Sequence, residues 1–199
     1  MSKSTKHKLI SAGAKLFVRT GYEKTTVGDL ESAVGLTPRA GGFYRHFASK
    51  EALLLAIAEQ RFETPEALGL TSVLPLADTC SELLYIARAY DRMNQPDDGL
   101  AHLFRTEAAR IPELGSMIAT ANETLLQALS EWIAQKPALK GKNKAEIANA
   151  TMLIFGAWLF FLTRRNETMS LKSQKSDAFL KRWAEYWARV LDMKNGLQT

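Results

Sequence analysis

The chain of 199 residues has one cysteine, three histidines, six prolines and no apolar run long enough to cross a bilayer. Each shortage excludes something. Cys80 has no partner for an intramolecular disulfide, so burial must hold the fold. It lies on an apolar helical stripe and is expected to act as a small hydrophobe. His7, His46 and His102 lack metal-ligand spacing, and no glycine-rich phosphate loop follows a strand. The expectation is no metal, no cofactor and no catalytic residue. The longest near-continuous apolar run, 150–162, has 13 residues, whereas a spanning helix needs roughly 20. The basic start is followed by alternating apolar and polar residues, not by a signal-peptide core. These features predict a cytoplasmic protein with no membrane contact.

What is present is a normal apolar content of 46% and a lopsided charge. Residues 1–62 carry ten Lys or Arg against five acids, while the other 137 residues carry 16 of each sign. All of the net charge of +5 therefore sits in the first third. Such confinement fits a module that meets a polyanion, and it also fits a solvated basic face.

Apolar residues recur at spacings of three and four almost everywhere, with no sustained alternation. The pattern predicts an all-α fold of about nine helices near 5–20, 26–34, 38–45, 49–64, 76–93, 99–110, 113–135, 144–165 and 175–193. A junction at Pro65–Pro75 predicts two domains, 1–62 and 63–199.

The second and third predicted helices flank Val34-Gly35-Leu36-Thr37, where Gly35 suits a left-handed turn. Thr26 with Asp29, and Thr37 with Pro38, are helix-start signals. Helix, glycine turn and capped short helix make a helix-turn-helix pattern. The third helix contains Gly41-Gly42, which costs a helix interior about 1 kcal/mol per glycine. A helix pressed into a major groove gains close backbone approach from them. Phe43 is the inward anchor, and Arg39 is suited to a guanine edge. Tyr44, Arg45, His46 and Lys50 are suited to phosphates. Lys50 opens a helix against its dipole, which favours a phosphate partner.

The stretches 9–17, Gly21-Tyr22, Thr25-Thr26-Val27, Asp29-Leu30, Gly35-Leu36-Thr37 and 43–51 together resemble the N-terminal domain of the TetR family of bacterial transcriptional regulators. The resemblance implies a homodimer on a palindromic double-stranded DNA operator, released by a small-molecule effector bound in the C-terminal domain. It places Thr26, Thr37, Tyr44, His46 and Lys50 on phosphates, and Arg39, Ala40 and Gly41 toward bases. Two departures stand out. Eight residues separate Gly35 from Tyr44, two more than the commonest form of the family has. Glu31 stands where the family usually has alanine.

Residues 76–199 are neutral overall and rich in aromatics. Tyr90, Phe104, Met117 and Trp158 are candidates for an effector pocket. The predicted eighth helix is apolar nearly all round from Ala150, so it is expected to bury two sides. By resemblance the last two helices pair with their copies in the dimer. Phe160, Trp183 and Trp187 are the interface candidates, and Gly156 allows close helix approach. Two other readings stay open here. A helical carrier of a hydrophobic ligand would bind no DNA, and a small enzyme would need a polar cluster for which no residues stand out.

Overall fold

The computed structural model describes residues 4–62, 74–93, 99–164 and 176–193. Eight α-helices form among them: α1 Thr5–Thr20, α2 Val27–Ala33, α3 Lys50–Phe62, α4 Thr79–Met93, α5 Leu100–Ala108, α6 Pro112–Ile133, α7 Lys144–Arg164 and α8 Ser176–Leu191. Two 3₁₀ turns, Phe43–Arg45 and Pro137–Leu139, also lie among the described residues. No strand occurs among the described residues. The all-α expectation holds, with one helix fewer. The missing one is 38–45, which is a turn followed by the first 3₁₀ element.

The chain divides into two compact units. The first joins Met1–Thr64 to Gln95–Ala121, and the second joins Pro65–Asn94 to Asn122–Thr199. The first unit therefore includes α5 and the start of α6, beyond the domain read from sequence. The physical reason is burial: Leu103, Phe104, Ile111 and Leu114 share one core with Leu9, Phe17, Leu30, Phe43, Leu53 and Ile57. Residues 65–73 of the expected junction lie outside the described residues.

In the second unit, α4, α6, α7 and α8 contribute Ile86, Leu129, Phe155, Trp158, Trp183 and Leu191 to a separate core. Cys80 packs at its edge, and burial pushes its thiol above the usual range. The α7 stripe resolves into two faces. Ile154, Phe155, Trp158 and Phe161 are buried, whereas Met152, Leu153 and Phe160 on the opposite side are exposed.

Candidate nucleic-acid interface

At the start of α2 the Thr26 hydroxyl accepts the Asp29 N–H (3.2 Å), and the Asp29 carboxylate accepts the Thr26 N–H (2.8 Å). The hydroxyl also donates to that carboxylate (2.7 Å). This is a reciprocal cap that satisfies two orphan helix donors. The Thr26 hydroxyl, then its N–H, hold the Asp29 carboxyl below the usual carboxylate range. A lowered folded-state value means that the cap stabilises above the unfolded value and fades as pH falls through the folded one. Thr26→Ala should cost about 0.5–2 kcal/mol near neutrality. In urea midpoints measured from about pH 7 to pH 2 the gap from wild type should narrow at the acid end, leaving the share owed to the Asp29 N–H, whose bond to the hydroxyl does not titrate. Curves that stay parallel throughout would remove the Asp29 carboxylate from the cap.

Beyond α2 the chain turns at Gly35, whose φ is +77°. The Glu31 carbonyl accepts the N–H groups of Val34 (3.2 Å) and Leu36 (2.9 Å). The following segment does not continue as an α-helix. Ala40 donates to the Thr37 carbonyl (3.2 Å), Arg39 has φ +64° and Gly41 has φ +76°. A left-handed residue cannot belong to a right-handed helix, so two of them in three positions break it. The two glycines have different reasons from the one inferred above. Gly41 supplies the left-handed backbone, while a side chain at Gly42 would press to 3.1 Å from the Leu36 side chain.

The Glu31 side chain is 1% exposed. Its carboxylate accepts the backbone N–H of Arg39 at 2.7 Å and of Phe43 at 3.0 Å. Phe43 and Phe47 are buried, ring centroids 5.9 Å apart, and anchor the 3₁₀ turn in the first core. Between and beside these anchors, Thr37, Arg39, Ala40, Tyr44, Arg45 and His46 are exposed, with Tyr44 at 60%. Gly41 is half-buried.

Lys50 has partners within the protein that the sequence did not announce. Its ammonium donates to the carbonyls of Tyr22 (2.7 Å), Thr25 (3.1 Å) and Glu23 (3.3 Å), and it lies 4.4 Å from the Tyr22 ring centroid. These three bonds close the turn between α1 and α2. The helix end is served by Ser49, whose hydroxyl accepts the Ala52 N–H at 3.0 Å. Burial, with the charges of Glu51, Glu107 and Glu23, pushes the Tyr22 phenol up to about 12.

The other candidates fall in different places. Tyr90 and Trp158 meet edge to face at 4.9 Å in the second core, and the Trp158 indole N–H, fully buried, has no hydrogen-bond partner among the described residues. Phe104 and Met117 belong to the first core, Phe104 lying 5.8 Å from Phe62. Phe160 is 62% exposed and Trp187 is half-buried. Trp183 is not a surface residue: it is 6% exposed and its indole donates to the Ile154 carbonyl at 2.8 Å. Sequence reasoning missed Met152, Leu153 and Tyr186, all largely exposed. For the two α7 residues the signal was their position on the helix, about a half-turn from Ile154 and Phe155 respectively. Among the described residues no group of three or more His, Cys, Asp or Glu is placed to hold a metal ion, and no helix is long and apolar enough to cross a membrane.

Residues 9–57 match the family model of bacterial regulatory proteins, tetR family. Over 51 residues the chain is 47% identical to the HTH-type transcriptional regulator TcmR of Streptomyces glaucescens, covering 26% of this chain and 22% of that protein. Over 54 residues it is 41% identical to the uncharacterized HTH-type transcriptional regulator YerO of Bacillus subtilis, covering 27% of this chain and 18% of that one. The matched stretch thus spans about a fifth of the length of these curated relatives. Among solved structures, a bacterial regulatory protein in the tetR family from Rhodococcus RHA1 aligns over 100% of both chains with a TM-score of 0.68 at 18% identity. That likeness is one of fold.

Proposed function

We propose, from the match of residues 9–57 to the tetR family of bacterial regulatory proteins and from a fold shared with a regulatory protein of that family, a homodimeric transcriptional repressor that a small-molecule effector releases from a palindromic operator. The observation that carries this reading is the 37–46 segment. Its anchors Phe43 and Phe47 are buried, while its hydroxyl, guanidinium, phenol and imidazole groups stand exposed. In this reading Arg39, Ala40 and Gly41 face bases, and Thr37, Tyr44, Arg45 and His46 hold phosphates and fix the register. Thr26, exposed at the start of α2, and Lys50, at the start of α3, flank this segment in the chain, with donors that already have partners within the protein.

The exposed face of α7, with Tyr186 on α8, suits a symmetric partner, since a two-fold interface needs one self-complementary apolar patch. A side chain added at Gly156 would meet open space in the monomer, so its smallness serves an outside contact. For the effector, the support is the orphaned Trp158 indole beside Tyr90, a buried donor still lacking an acceptor. An effector favouring one arrangement of the dimer would shift the population away from the DNA-competent one.

Gel shifts of genomic fragments across a salt series test the reading. Two half-sites about one helical turn apart should be retarded together, with affinity falling steeply as salt rises. Sedimentation should show a two-chain mass. A chain that retards no fragment at low salt would favour the carrier reading.

A further inference from the structure

Glu31 is a buried acid that, among the described residues, neither a cap nor an ion pair explains. Among the described residues, the hydrogen-bond partners of its oxygen atoms are backbone N–H groups. Its main-chain carbonyl takes Val34 and Leu36, and its carboxylate takes Arg39 and Phe43, so four N–H groups of the turn and reading segment converge on one residue. An ordinary α-helix would need no such acceptor beyond its first turn, because each later N–H finds a carbonyl four residues back. The segment 37–43 is too short and too interrupted by left-handed residues to supply those carbonyls.

We propose that Glu31 is the positioning residue of the DNA-reading segment, its buried carboxylate replacing the helical hydrogen bonds that the two-residue-longer connection forgoes. The inference rests on the reading of 37–46 as the DNA-facing segment. A carboxylate suits the task because it is acceptor-only and has two oxygens, one for each N–H. The Arg39 end is fixed from the backbone, so its side chain leaves the surface from one defined point. Readout of a base edge requires that kind of fixation, whereas attraction to phosphates does not.

Glu31→Gln tests it. The amide offers one acceptor, and its NH₂ then faces the second backbone N–H, donor against donor. Two measurements are needed. In amide hydrogen exchange, Arg39 and Phe43 should be protected in the wild type and lose protection roughly tenfold or more in the variant. Leu36, bonded to the Glu31 main chain, should keep its protection. In selection from a pool of random duplexes, the variant should bind the unselected pool as the wild type does, with the same salt slope. Its preference for the enriched sequence should drop roughly tenfold or more.

An unchanged preference would overturn the proposal, as would equal losses for all sequences, which is what a merely structural residue gives. Unprotected Arg39 and Phe43 amides in the wild type would overturn it without any variant. Should the wild type enrich no sequence at all, the regulator reading fails, and the exchange data still decide whether Glu31 holds the segment.

Discussion

Phe43→Ala should destabilise the first unit by about 3–5 kcal/mol, the usual cost of emptying a core phenylalanine site. Phe43 is fully buried, meets Tyr44 edge to face at 5.4 Å and is tilted against Phe47. Its backbone N–H is also the one that Glu31 accepts, so side chain and main chain are pinned together. Truncation leaves a cavity under the 3₁₀ turn, and the turn has few hydrogen bonds with which to resist collapse. The neighbouring Tyr44→Ala, at an exposed position, should cost about 0.5 kcal/mol or less in stability. DNA affinity should fall in both variants, but for different reasons. Thermal melts beside gel shifts separate them: Phe43→Ala shifts the melt, and Tyr44→Ala leaves it in place. A Phe43→Ala melt within a degree of wild type would mean that the turn is not anchored in the core.

The second large effect is expected in the other unit. The Glu82 carboxylate, 3% exposed, accepts the Leu76 N–H (3.0 Å) and the Trp132 indole N–H (3.2 Å) and pairs with the Lys136 ammonium. Lys136 in turn lies 4.5 Å from the Trp132 ring centroid. One acid thus ties the segment before α4 to the end of α6. Glu82→Ala leaves three donors without an acceptor, one of them a charged group with little access to water. Breaking a buried pair from one side typically costs about 3–5 kcal/mol. Replacing both partners should cost far less than the sum of the single changes, because neither charge is then stranded. Denaturant midpoints for Glu82→Ala, Lys136→Met and the double variant check this. Additive losses would show that the two residues contribute independently.

These two sites show how unevenly the sequence disclosed its structure. Phe43 was legible as an anchor because aromatic residues at 43 and 47 flank polar ones in a short segment with a marked start. Nothing near Glu82 in sequence announces a partner 54 residues away. The internal partners of Lys50 were hidden for the same reason. Its place at a helix start implied an external anion, whereas the carbonyls that take its protons lie on residues 22–25, brought there by the packing of α1 against α3.

Periodicity, capping signals and charge confinement are local or additive properties, so they alone determined the helical class, most helix positions and the basic N-terminal module. Tertiary structure decided whatever depends on which groups converge. It turned the expected third helix into a loop wrapped on Glu31, drew α5 into the first core and put Trp183 inside while leaving Leu153 outside. The reason is that a hydrogen bond or a buried contact is set by distance in space. The chain order fixes such distances only within a turn or two of helix.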